Sequence, residues 1–193
     1  MTGYGLTTDT QVIAYDDKGG GIAARLWWML HWIGHENVSV LNGGIQAWNA
    51  ENFQLETQAP PPPKVADRYP NRPTKVTIYN REEVEKLREK ENFTLIDSRT
   101  AERYRGEHEP VDPVAGHIEG AINIPWPGNL TEGKISEKTA LENRFATLKS
   151  KPENTVFYCG SGVTACHNIL AYRLVTGKMP GLYPGSWSDW IVE

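Results

Sequence analysis

Apolar positions along the chain gather into short β-branched or aromatic runs. Each run is followed by glycines or polar residues, and then by apolar residues at helical spacing. Residues 11–15 form the first such run, which passes through Asp16-Asp17-Lys18-Gly19-Gly20-Gly21 into a helix carrying Ala23, Ala24, Leu26, Trp27, Leu30 and Ile33. A second strand is predicted over residues 38–41, then Asn42-Gly43-Gly44 and a short helix to Trp48. Further along, residues 76–79, 93–97 and one part of the Gly-bounded segment 116–125 read as strands. Asn80 is placed to cap a helix over 82–89, with Val84 and Leu87 on one face; 101–104 predicts a helical turn and 137–148 a helix. The last run, Thr155-Val156-Phe157-Tyr158, reads as a buried strand. It turns through Cys159-Gly160-Ser161-Gly162-Val163-Thr164 into a helix from Ala165 that Gly177 is placed to stop. Strands alternating with helices predict an α/β fold.

The same order occurs twice. Val12-Ile13-Ala14-Tyr15-Asp16 matches Thr155-Val156-Phe157-Tyr158-Cys159, and Asn42-Gly43-Gly44 with Trp48 matches Pro184-Gly185-Ser186 with Trp190. Asp16 to Gly43 spans 27 positions and Cys159 to Gly185 spans 26, so the first turn holds one extra residue. Two copies of one unit are implied, and the first has Asp16 where the second has Cys159, so its loop is expected to be catalytically silent. The Pro60–63 run marks the boundary, giving a partial first unit over 1–58, a linker over 59–74 and a second unit over 75–193. The second copy carries a long stretch ahead of its Cys strand that the first copy lacks, so the first is expected to be the back half of a unit. A half unit would leave a sheet edge, Trp27 and Trp28 exposed unless something covers them. Association with another chain, as in a homo-oligomer, would be one remedy.

Charge and composition narrow the function classes. The net charge of −4 over 193 residues gives no reason to expect nucleic acid or a membrane surface as partner. The apolar stretch 22–33 is too short to span a bilayer and is interrupted by Arg25 and His31. No signal-peptide pattern opens the sequence. The two cysteines, Cys159 and Cys166, lie seven apart on one turn and helix, roughly 10 Å for two turns, too far for a native bridge. That usage suits a reducing cytosol, and a cytoplasmic protein is the expectation.

The chemistry centres on Cys159, at the carboxyl end of a strand in a Gly-rich turn that opens a helix. Such a turn points backbone N–H groups inward, and a helix amino terminus adds partial positive charge, an environment that favours the reactive thiolate. The competing reading is a buried, inert cysteine in a strand-to-helix turn. His31, His35, His108 and His167 show no metal-ligand spacing, so no metal site is expected, and His117 reads as a satisfied imidazole near a turn. Cys166 reads as core, the tryptophans as packing residues and the charged run 81–91 as a solvated helix face.

Five ordered motifs carry a resemblance. They are Asp97-Ser98-Arg99; Arg103-Tyr104-Arg105-Gly106; the segment from Gly116-His117-Ile118 to Ile124-Pro125; Cys159-Gly160-Ser161-Gly162-Val163-Thr164-Ala165-Cys166; and Gly185-Ser186-Trp187. Together they resemble the tandem-domain rhodaneses, and the loop is most similar to that of the 3-mercaptopyruvate sulfurtransferases. The resemblance implies a three-layer α/β/α unit around a central parallel sheet, preceded by the back half of a second, inactive copy. It implies a sulfurtransferase in which Cys159 takes a sulfane sulfur from thiosulfate or 3-mercaptopyruvate, holds it as a persulfide and passes it to a thiol, thioredoxin or cyanide. No cofactor beyond that covalent intermediate is implied. Gly160, Ser161, Gly162, Val163 and Thr164 are the implied cradle, and Arg103 matches the family's substrate arginine, with Arg105 and Arg99 as weaker candidates. The sequence departs from the mercaptopyruvate pattern at Glu109-Pro110-Val111-Asp112-Pro113, where a second substrate arginine would lie, and it lacks the stretch that supplies an Asp and a His toward the loop serine. The donor stays open between the two. A non-catalytic rhodanese-like binding module is the alternative. A related phosphatase would need an arginine where this chain has Ala165.

Overall fold

A computed structural model describes residues 5–59, 61, 62, 69, 76–148 and 150–192. Most of the linker predicted over 59–74, including Pro60 and Pro63, lies outside the described residues. The amino-terminal unit comprises strand β1 (Val12–Ala14), helix α1 (Ala23–Trp32), strand β2 (Val38–Val40) and helix α2 (Gly44–Ala50). β1 and β2 pair in parallel, Val12 opposite Val38 and Ala14 opposite Val40.

The carboxyl-terminal unit begins with helix α3 (Arg81–Leu87), whose start is a reciprocal cap. Asn80 accepts from the Glu83 N–H, and the Glu83 carboxylate accepts from the Asn80 N–H. Strand β3 (Thr94–Asp97), helix α4 (Ala101–Arg105), strand β4 (Ile122–Asn123), hairpin strands β5 (Leu130–Thr131) and β6 (Lys134–Ile135), and helix α5 (Lys138–Phe145) follow. The chain ends with strand β7 (Thr155–Tyr158), helix α6 (Ala165–Thr176), strand β8 (Gly181–Leu182) and helix α7 (Ser186–Trp190). The central sheet runs β4-β3-β7-β8, all parallel, with Thr94 to Asp97 opposite Thr155 to Tyr158. Every residue of β7 is buried, as a central parallel strand covered on both faces requires. Gly177 closes α6 at φ +67°, a left-handed position that glycine takes without strain.

Two expectations are corrected and one unpredicted element is added. Residues 76–79 do not form a strand: β8 is only two residues long and offers one bridge, Ile78 to Leu182, flanked by two backbone hydrogen bonds. The β5–β6 hairpin has no place in the alternating pattern, yet it ties the units together through the Ile135 N–H, which donates to Asn42 Oδ1 at 2.7 Å. Trp27 and Trp28 need no second chain. They are 4% and 2% exposed, because α1 packs on α6 and shares one core with Ile96, Phe157, Ile169 and Leu170. The other face of the small sheet stays open, with Ile13 and Tyr15 exposed.

Candidate active site

Cys159 stands where β7 ends, and its backbone is fixed by the start of α7. Its N–H donates to Ser186 Oγ at 3.1 Å, and its carbonyl accepts from the Trp187 N–H at 3.1 Å. The Gly160 carbonyl accepts from both the N–H and the hydroxyl of Ser188, at 2.9 and 2.8 Å. Ser186 holds this geometry at φ +58°, with its hydroxyl donated to the Tyr183 carbonyl. Gly162 cannot be replaced freely. Its φ is +72°, and a Cβ there would lie 2.6 Å from the Pro184 carbonyl oxygen. The loop crest is Ser161, exposed, with Val163 and Thr164 half-buried and the Cys159 side chain itself buried beneath. Ala165 is fully buried at the first turn of α6, so no guanidinium occupies the position a phosphatase would use.

Of the three candidate arginines, one reaches the loop. A Cβ on Gly160 would stand 3.4 Å from Arg103 Nη2. Arg103 is aimed by carboxylates that the sequence reading had not assigned. Glu109 accepts from Arg103 Nε at 3.1 and 3.0 Å and from Nη2 at 2.6 Å, and Asp112 Oδ2 accepts from Nη2 at 3.2 Å. Asp112 Oδ1 lies 2.7 Å from the same Ser188 hydroxyl, whose one proton is shared between Asp112 and the Gly160 carbonyl, and this links the arginine to the backbone brace of the loop. Burial would raise the Glu109 pKa, but the Arg103 hydrogen bond and the Asp112 and Val111 N–H groups outweigh it and hold the carboxyl below its ordinary value. Arg99 is a buried strut: it pairs with Asp97 and Glu109, donates to the Gly116 carbonyl and packs over Trp187 at 5.0 Å. Arg105 pairs with Glu107 in solvent. The signal for the missed carboxylates was the position of Glu109 and Asp112, six and nine residues after Arg103, in a segment read only for the arginine it lacks.

The equivalent loop of the amino-terminal unit shows what such a turn holds. The Asp16 carboxylate accepts four backbone N–H groups, from Lys18, Gly20, Ile22 and Ala23, at 2.7–2.8 Å. Burial would raise the Asp16 pKa, yet these four donors more than offset it and leave the pKa lowered. A strand-to-helix turn of this design is an anion cradle.

Other singled-out residues sit outside this arrangement. His117 Nδ1 lies 2.7 Å from the Tyr104 carbonyl oxygen, and its ring stacks on Tyr104. Cys166 is buried under the loop, its thiol donated to the Gly162 carbonyl at 3.3 Å, and burial pushes its pKa up to about 12. Among the described residues no group of three His, Cys, Asp or Glu side chains is arranged to hold a metal ion, and no helix is long and apolar enough to cross a membrane. A cavity of about 690 Å3 lies between β2 and α6, lined by Trp27, His31, Val40, Leu170 and Arg173; no Cys159-loop residue lines it.

Comparison with known proteins agrees with this geometry. The rhodanese-like domain model matches residues 4–51 and 80–193. The chain is 40% identical to the probable 3-mercaptopyruvate sulfurtransferase of Pseudomonas aeruginosa, over all of this chain and 69% of that protein. It is 37% identical to the thiosulfate sulfurtransferase of Rattus norvegicus, over 96% of this chain and 64% of that one. Among solved structures, the 3-mercaptopyruvate sulfurtransferase from Leishmania major superposes with a TM-score of 0.80 at 31% identity, covering 97% of this chain and 52% of that one. The chain thus spans about two thirds of the length of the curated relatives it matches. With its central parallel sheet and a Cys159 turn at the carboxyl end of β7, the chain belongs to the rhodanese family.

Proposed function

We propose that this protein is a sulfurtransferase that moves a sulfane sulfur from a small anionic donor, thiosulfate or 3-mercaptopyruvate, to a thiol or cyanide through a persulfide on Cys159. The observation that carries the reading is the Asp16 cradle: the same turn, one residue longer, gathers four N–H donors on an anion at the position equivalent to Cys159. In the Cys159 loop that anion is the thiolate, then the persulfide.

The Cys159 thiolate attacks the outer sulfur of the donor, forming an S–S bond. With thiosulfate the donor's S–S bond breaks and sulfite leaves with the electron pair. With 3-mercaptopyruvate the C–S bond breaks, and the pyruvate enolate leaves and takes a proton. Loop N–H groups from Gly160 to Thr164 hold the charge throughout, and the Ser161 and Thr164 hydroxyls add donors at the crest. Arg103, poised beside Gly160, recognises the donor's negative group, exchanging part of its Glu109 and Asp112 pairing for it. An acceptor thiolate, a small thiol or that of thioredoxin, or cyanide then attacks the outer sulfur and releases Cys159. The carrier is the cysteine itself, so the cycle needs no cofactor. Both cysteines are free, which suits a reducing compartment such as the cytosol. A second copy of the chain would find the exposed side chains of Ile13 and Tyr15 on the open face of the small sheet.

Intact mass after incubation with each donor tests the proposal. A gain of about 32 Da, absent in Cys159→Ser and reversed by dithiothreitol, is the expected result, and the faster donor identifies the donor class. Folded protein that gains no sulfur from either donor would overturn it in favour of a binding module.

A further inference from the structure

α1 and α6 lie against each other, and each sends one side chain into the other unit's loop. Aligned on their first residues, Ala23 and Ala165, the two helices make Arg25 the counterpart of His167. His167 Nε2 stands 3.2 Å from the Gly19 carbonyl oxygen in the Asp16 loop. Arg25 Nη1 donates to the Gly162 carbonyl in the Cys159 loop at 3.2 Å and lies 3.8 Å from Cys166 Sγ. The exchange is reciprocal in place but not in charge. Burial drives the His167 pKa down to about 4, so it is neutral at neutral pH, whereas an arginine stays cationic.

The neighbours of Arg25 sharpen the contrast. Its guanidinium packs over the Trp28 ring at 5.1 Å, and among the described residues no carboxylate pairs with it. Arg99 and Arg103 each face two carboxylates. The cation that reaches the Cys159 loop with no carboxylate of its own therefore comes from the amino-terminal unit. Its hydrogen bond also has a directional effect. A trans peptide is planar, so a Gly162 carbonyl held toward Arg25 turns the Val163 N–H the opposite way.

We propose that Arg25 is a positioning residue of the Cys159 site: it fixes the Gly162–Val163 peptide and lends the loop a positive charge that favours anionic over neutral reactants. The proposal rests on the reading of Cys159 as sulfur carrier, but its test does not require sulfur transfer. The other charged or titratable groups around the loop are Arg103, Glu109 and Asp112 beyond α4, Cys166 and His167 on α6, and Asp189 on α7 against Gly185. All are retained in the variants below.

Cys159 of the full chain is alkylated with neutral iodoacetamide and, separately, with anionic iodoacetate, and peptide mapping separates Cys159 from Cys166. The iodoacetate-to-iodoacetamide rate ratio should fall on the order of fivefold in Arg25→Gln and recover in Arg25→Lys, which keeps the charge. In the wild type the ratio should also fall between about 0.05 and 0.5 M salt, a measurement that needs no variant. With an active donor, Arg25→Gln should raise KM more than it lowers kcat. A merely structural Arg25 would slow both reagents alike, and an unchanged, salt-independent ratio would overturn the proposal. Wild-type protein that takes up no sulfur defeats the carrier reading instead, and the alkylation ratio still decides the role of Arg25.

Discussion

The Asp16 and Cys159 loops are two versions of one turn, and they differ in whether the anion is supplied from within. At Asp16 a carboxylate satisfies four N–H groups and the turn is complete. Cys159 follows β7 as Asp16 follows β1, at the equivalent position of the repeat. The loop is one residue shorter, its backbone is braced by Ser186 and Ser188, and an arginine stands beside it. The Asp16 loop satisfies its own backbone donors. On the proposed reading the other turn is the same element with a thiolate in place of the carboxylate, and the fold's contribution to the chemistry is then a pre-built place for one negative charge.

Exchanging the anions has the largest expected effect. Cys159→Asp should abolish sulfur loading, below a thousandth of the wild-type rate, while chemical denaturation shows stability held or raised by about 1 kcal/mol as the carboxylate takes the loop N–H groups. A clear loss of stability would mean that the Cys159 donors do not converge as those around Asp16 do. Removing the silent anion comes next. Asp16→Ala should cost about 2 kcal/mol at pH 7 in urea unfolding, since a half-buried charged acceptor is lost from four donors. The folded pKa of Asp16 lies below its ordinary value of 3.8, so this contribution is present above that pH and is lost as pH falls through the lower folded value. The gap between Asp16→Ala and wild type should therefore close in acid. A gap that persists at the lowest pH at which both still fold would show that the carboxylate's charge is not the source. Backbone strain separates the two loops at one glycine in each. Both glycines have a positive φ, +72° at Gly162 and +92° at Gly20, but Gly162→Ala also meets Pro184 backbone and should cost about 3 kcal/mol, whereas Gly20→Ala meets only ordinary contacts with His167 and Val40 and should cost about 1 kcal/mol. Equal melting temperatures for the two alanine variants would break the contrast.

Local signals carried much of this architecture. The all-apolar β7, the Asn80 cap and the Gly177 stop each depend on neighbours a few residues away, and all three are legible in the sequence. The β-branched run at 76–79 misleads because pairing depends on the length of β8, which is set elsewhere. The β5–β6 turn through Glu132 and Gly133, at φ +51° and +76°, carries no apolar alternation to announce it. At the site, Cys159 and Arg103 stand out through their motifs. Arg25 does not, because it meets Gly162 across 137 positions of chain and looks like any arginine on an amphipathic helix. Glu109 and Asp112 were hidden for a related reason: a carboxylate's partner is chosen by the folded loop, not by spacing.

The burial of Trp27 and Trp28 against α6 has a consequence beyond packing. A helix that completes a neighbour's core ties the opening of one part to that of the other, so hydrogen exchange should show backbone amides in α1 and α6 sharing one cooperative opening event. Mutations in the amino-terminal unit are then filtered by what happens at a cysteine it does not contain. If Cys159 is the sulfur carrier, helix α1 is thereby held to the tolerances of its site.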